Sequence, residues 1–163
     1  MSRVSRFEHE LIDAALIQAG PEIPPGTAAV LIPNSVYFLL VFREAISPAL
    51  ADCDFRDAAE SVFDSGDWIS DAVRWILAAE LIIADVTDLN PDVMYLLGLC
   101  HGLGRCPLLI AQEPTVLPRH LEVFRCLRYV DDPAGLRSLR EGLARAIRVF
   151  VTQAAASRKK SEP

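Results

Sequence analysis

Short, unbroken apolar runs alternate along this chain with longer stretches in which apolar residues recur every three or four positions. Ala28 to Ile32, Leu81 to Ala84 and Leu108 to Ala111 are unbroken, the signature of strands buried on both faces. Leu127 to Val130 reads as a last, short strand, and Phe55 to Ala59, poor in strand formers, as an edge strand. The periodic stretches predict helices. Phe7, Leu11, Ala14, Ala15 and Ile17 give a leading helix over residues 4–18, stopped by Gly20-Pro21 and followed by a proline-rich connection to Gly26. A second helix runs through Leu40 to Leu50, with Val41, Ala45, Ile46 and Ala49 on one side. Asp64-Ser65-Gly66-Asp67 is a turn and cap, and Trp68, Ile69, Ala72, Val73, Ile76 and Leu77 form an amphipathic helix after it. Asn90 caps the next helix, with Pro91 at its first position, Leu89 placed to fold onto Met94, and an end near Gly104. Pro114 to Arg125 is expected to be a loop with a short helix, and Asp132-Pro133 opens a terminal helix carrying Leu136, Leu139, Leu143, Ala146, Ile147 and Phe150.

A helix rather than a hairpin joins the Leu81 and Leu108 runs, so these strands are expected to be parallel. Repeated along the chain, that alternation gives an α/β fold, an open, doubly wound parallel sheet of about five strands with helices on both faces. Residues 1–156 are expected to form a single domain and residues 157–163 a disordered tail. The chain has 163 residues, enough for one substantial core. Its hydrophobic content is 52% with only 7% aromatic, so the core should be aliphatic.

Charge narrows the partners. A net charge of -6 argues against nucleic acid, whose affinity comes from Lys and Arg, and Arg158-Lys159-Lys160 is only a short basic tail. Cys53, Cys100, Cys106 and Cys126 lack the spacing of a metal knuckle or a disulfide scaffold, which suits small core residues in a reducing cytoplasm. The N-terminus mixes Arg3, Arg6, Glu8 and Glu10 with apolar residues, unlike a signal peptide, and the apolar stretch from Ala28 to Phe42 is broken by Pro33, Asn34 and Ser35. A cytoplasmic protein with no membrane, metal or cofactor is expected; association with further copies of itself stays open.

In doubly wound sheets ligands sit beyond the carboxyl ends of the strands, where the strand order reverses. With the order 2-1-3-4-5, that place is walled by Pro33-Asn34-Ser35, by Asp85 to Asn90, and by Ser65-Gly66-Asp67. No GxGxxG and no GxxxxGK[ST] occurs there, so dinucleotide and P-loop fingerprints are missing. Asp85, Asp88 and Asp92 would repel a bare phosphate and suit hydroxyl-rich sugars or a cation. Asp88 and Asp92 also have a plain role in complementing the helix dipole. Asp85, following a buried strand, is costly unless paired, so a hydrogen bond to the loop and a functional role weigh equally. His101, in mid-helix, reads as a packed histidine.

Ala84-Asp85-Val86-Thr87, Asn90-Pro91-Asp92-Val93-Met94-Tyr95-Leu96-Leu97-Gly98 and Cys100-His101-Gly102-Leu103-Gly104 together resemble the nucleoside 2-deoxyribosyltransferase-like family, relatives of the TIR-like domains. The resemblance spans roughly residues 28–147 and implies a flavodoxin-like sheet. It implies cleavage or transfer at an N-glycosidic bond, with a glutamate on this helix attacking the sugar and an aspartate near the preceding strand holding substrate. In the family's motif Tyr is followed by Glu, whereas Tyr95 is followed by Leu96, which cannot form a glycosyl intermediate. Losing such a nucleophile lowers turnover by on the order of 10⁴ or more. The expectation is therefore a non-catalytic module that binds a nucleotide- or nucleoside-like molecule or a protein partner through Pro33, Asn34, Ser35, Ser65, Gly66, Asp67, Asp85, Thr87, Asn90, Asp92, Tyr95 and Leu96. The alternative is an active deoxyribosyltransferase or NAD-cleaving hydrolase in which Asp92, one turn before Leu96, or Asp85 replaces the glutamate.

Overall fold

A computed structural model describes residues 23–57 and 68–161. The leading helix expected over residues 4–18, and the Ser65, Gly66 and Asp67 turn, lie outside the described residues. In chain order the elements are β1 (Thr27–Leu31), α1 (Val36–Val41), a π-helical turn (Phe42–Ile46), α2 (Ser47–Ala51), β2 (Arg56–Asp57) and α3 (Trp68–Ala78). There follow β3 (Leu81–Asp85), a 3₁₀ turn (Thr87–Leu89), α4 (Pro91–Gly102), β4 (Leu108–Gln112), β5 (Cys126–Tyr129) and α5 (Pro133–Ser161).

The protein is α/β. β1, β3, β4 and β5 pair side by side in that order, all parallel, and the two-residue β2 meets the outer side of β1 at Thr27 and Ala28. Every residue of β1 and β3 is buried. Alternate side chains serve two separate cores. On one face Ala28, Val30, Leu81, Ile83, Ile110 and Tyr129 pack against the α1–α2 rod and α5. On the other, Ala29, Leu31, Ile82, Ala84, Leu109 and Ala111 pack against α3 and α4. Each fully buried Leu or Ile contributes about 1.5–3 kcal/mol of transfer free energy, so both faces share in holding the sheet.

The rod from Val36 to Ala51 shows why these residues make an irregular helix. Its buried positions are Phe38, Phe42, Ile46 and Leu50, and also Val41, Ala45 and Ala49, a strict repeat of four. A regular α-helix turns every 3.6 residues and would carry Leu50 off the face set by Phe38. Wider π turns hold the repeat in line, and the Ser47 N–H reaches back five residues to the Phe42 carbonyl. Pro48 comes directly afterwards; with no N–H and a bulky ring, it cannot continue a regular ladder.

The ends of α4 and α5 follow their sequence. Asn90 Oδ1 accepts from the N–H groups of Asp92 at 3.0 Å and Val93 at 3.2 Å. After α4 the Arg105 N–H reaches Cys100 and the Gly104 N–H reaches His101, with Gly104 at φ +70°, so the turn needs glycine's freedom. Asp132 Oδ1 accepts from Gly135 N at 2.6 Å and starts α5. Two expectations need correction. Pro114 to Arg125 contains no helix; Pro118–Leu121 and Leu121–Phe124 close separate turns, and Pro114 and Pro118 deny the stretch two of its N–H donors. α5 also continues through Ser161, where a disordered tail was expected from residue 157, in keeping with the strong helix formers Ala154-Ala155-Ala156.

Candidate functional site

The carboxyl ends of β3, β4 and β5 are joined by one buried polar cluster. Asp85 closes β3 and, by strand alternation, points to the same face as Leu81 and Ile83, the face covered by the α1–α2 rod and α5. It is fully buried. Its Oδ1 accepts from the Thr87 N–H at 3.0 Å and from the Thr87 hydroxyl. Its Oδ2 accepts from the Tyr129 hydroxyl at 2.8 Å. Thr87 Oγ1 in turn accepts from the Gln112 N–H at 2.8 Å. Of the two readings open for Asp85 in the sequence, the hydrogen-bonded one is built: three donors compensate most of what burying a carboxylate costs.

Burial still dominates the Asp85 equilibrium, pushing its pKa above the usual carboxylate range, while the bonds from Thr87 and Tyr129 pull the other way. The Tyr129 phenol is driven well above its ordinary range, first by burial and then by the charge of Asp85. Beside this cluster, in the first turn of α1, the Tyr37 hydroxyl is buried facing the Asp131 carboxylate, with no partner at close hydrogen-bond distance among the described residues. Burial, the neighbouring Asp131 carboxylate, and the charges of Asp85 and Asp88 push its pKa up to about 12. None of these hydroxyls ionises near neutral pH, so none is a ready nucleophile there.

Two concavities border the cluster. An open depression of about 270 Å³ lies between the β3–α4 loop and the loop after β4, lined by Asp88, Leu89, Pro114, Thr115 and Val116. A cleft of about 510 Å³ lies between the α1–α2 rod and the start of α5, with Leu40 and Leu136 as its apolar part and Glu44, Asp131 and Arg137 among its charges. Asp88 and Leu89 both hold positive φ, 54° and 52°. Asp tolerates this conformation, whereas for Leu it is strained.

The residues expected from sequence divide between surface and core. Asn34, Ser35 and Asp92 are exposed, Tyr95 is half exposed, and Asn90 is half-buried as the helix cap. Pro33 and Thr87 are buried. Leu96 is wholly buried in the core beneath α4, on the opposite face of the sheet from Asp85. Asp92 lies one turn from Leu96 but stays in solvent, and Asp85 leaves β3 towards the other helix layer, so neither carboxylate occupies the space of residue 96. Tyr129, Tyr37, Gln112 and Asp131 were not anticipated. The signal for Tyr129 was present: a hydroxyl-bearing residue closing an apolar strand, at the same carboxyl edge as Asp85, needs a partner when buried.

His101 stacks on Phe124, ring centroids 4.8 Å apart and planes at 15°, as a packed histidine, although its Nε2 is buried without a partner among the described residues. Arg105 donates to the carbonyls of Leu77, at 3.0 Å, and Ala79, closing the end of α3. All four cysteines are free thiols, and burial pushes that of Cys100 up to about 12, so it packs rather than reacts. Among the described residues no group of three or more His, Cys, Asp or Glu side chains could hold a metal ion. No helix among them is long and apolar enough to cross a membrane. Comparisons with protein-family models, with curated proteins and with solved structures returned no match.

Proposed function

We propose that this chain is a non-catalytic binding or signalling module, built on a flavodoxin-like five-stranded sheet of order 2-1-3-4-5, similar in plan to the nucleoside 2-deoxyribosyltransferase-like and TIR-like folds. It takes a nucleotide- or nucleoside-like molecule, or a protein partner, at the carboxyl edge of the sheet. One observation carries the reading. The motif position of the glycosyl nucleophile, Leu96, lies inside one core, and Asp85 is held by three donors inside the other, while Asp92, the remaining candidate, faces solvent. What stays accessible at that edge is Asn34, Ser35, Asp88, Asp92 and the half-exposed Tyr95, groups able to hydrogen-bond and stack.

The test is calorimetry with nucleosides, NAD and cyclic nucleotides, alongside assays for release of the free base. Binding without turnover is expected, weakened by Asp92→Asn or Tyr95→Ala. Absence of binding across the panel, with no partner captured through this edge, would sink the reading. The rival is an active deoxyribosyltransferase or NAD glycohydrolase; the raised pKa of Asp85, apt for a proton donor, is what favours it. Base release abolished by Asp85→Asn or Asp92→Asn would establish that rival. Leu96→Glu separates the two further. In the closed core the new carboxylate costs several kcal/mol of stability and restores no turnover.

A further inference from the structure

The cleft of about 510 Å³ between the α1–α2 rod and the start of α5 has the volume of a small-molecule site. The rod contributes Leu40 and Glu44 to its walls, α5 contributes Pro133, Leu136, Arg137 and Arg140, and Asp131 and Asp132 close it at the carboxyl edge. None of Asn34, Ser35, Asp88, Asp92 and Tyr95 lines it, so it is a second place on the molecule.

Some of its charges are used by the fold. Arg140 grips the Asp52 carboxylate through Nε and Nη2 at 2.9 and 3.0 Å, which ties α5 to the end of the rod. Asp132 Oδ1 holds the Gly135 N–H at the start of α5. The rest stay open. Among the described residues Glu44 and Arg137 make no ion pair or side-chain hydrogen bond, and what faces Asp131 is the Tyr37 hydroxyl. Arg137 and the carboxylates of Glu44 and Asp131 therefore share one cleft without meeting, on either side of an apolar floor made by Leu40, Pro133 and Leu136.

That arrangement selects a ligand by its charges. An anion alone would meet the carboxylates of Glu44, Asp131 and Asp132 against the single unpaired guanidinium of Arg137, and an amine alone would add a second cation beside Arg137. A molecule carrying both charges satisfies both sides. Leu40, a large apolar side chain left 51% exposed, is covered only if the ligand also has an apolar group. We infer that this cleft binds a zwitterion, a free α-amino acid with a large apolar side chain. The carboxylates of Asp131 and Glu44 hold its ammonium, the Arg137 fork holds its carboxylate, and its side chain rests on Leu40 and Leu136.

Calorimetry on the full chain with leucine, methionine and phenylalanine tests this. Leucine should bind at least about tenfold more tightly than leucinamide, which lacks the carboxylate, 4-methylpentanoate, which lacks the amine, and glycine, which lacks the side chain; one charge-assisted hydrogen bond is worth about that factor. Arg137→Gln should remove the preference for leucine over leucinamide, and Glu44→Gln with Asp131→Asn the preference over 4-methylpentanoate. All three side chains are exposed, so the fold is not at stake. Asp92→Asn, outside the cleft, should change neither preference. No heat from any of the three amino acids at millimolar concentration would overturn the inference. So would leucine binding no more tightly than leucinamide or 4-methylpentanoate, or preferences that survive all three cleft substitutions, which would put the amino acid elsewhere.

Discussion

At the scale of single residues, Asp85 is the group whose environment makes a measurable demand. A carboxyl with a raised folded pKa holds its proton more tightly folded than unfolded. Its contribution to stability is therefore fully present below the unfolded value of about 4 and is lost as pH rises through the folded value. Urea unfolding followed from about pH 4 upward should show wild type losing its advantage over Asp85→Asn as pH increases; a gap that widens instead would refute the assignment. Tyr129→Phe removes the donor on Oδ2, should cost about 1–3 kcal/mol, and should steepen the same dependence, because it deletes one of the bonds that favours the charged form. Asp85 itself was legible in the sequence as a carboxylate in need of a partner. Its direction was not, because which face a strand residue takes depends on register, and register is set by neighbours far away in the chain.

At the scale of elements, the caps were the most legible feature, since Asn90, Asp132 and Gly104 act through bonds to residues within a few positions. The turns from Pro118 to Phe124 were misread as helix because their fate depends on the core they cover, where Leu121 is buried. The junction of β5 and α5 offers a test of close approach. A β-carbon on Gly135 would fall on the carbonyl oxygen of Val130, a backbone atom that cannot turn aside. On Gly142, further along α5, it would meet only the Leu127 side chain at 3.8 Å. Gly135→Ala should accordingly lose about 2 kcal/mol or more through strain at the helix start. Gly142→Ala should be neutral or gain up to about 1 kcal/mol in helix propensity. Equal effects in thermal unfolding would show that the approach at Gly135 is not limiting.

At the scale of the whole molecule, the alternating α/β plan and its parallel pairing followed from apolar runs too short and too unbroken to be helices. The partition into two cores did not, because a run buried on both faces says nothing of which helix covers which side. That partition is what sets Leu96 and Asp85 apart, although they lie only eleven residues distant in the chain. The wide turn before Pro48 has a consequence for how much chain the fold requires. Its four-residue repeat is a heptad pattern with one surplus position, since removing exposed Glu44 returns the buried set to ordinary helical spacing. The β1 to β2 crossover thus holds a removable residue. A chain shortened by Glu44 and carrying Pro48→Ala should fold with a single cooperative melting transition and a regular helix in place of the wide turn, whereas excision of one residue from α4, which has no such surplus, should abolish that transition.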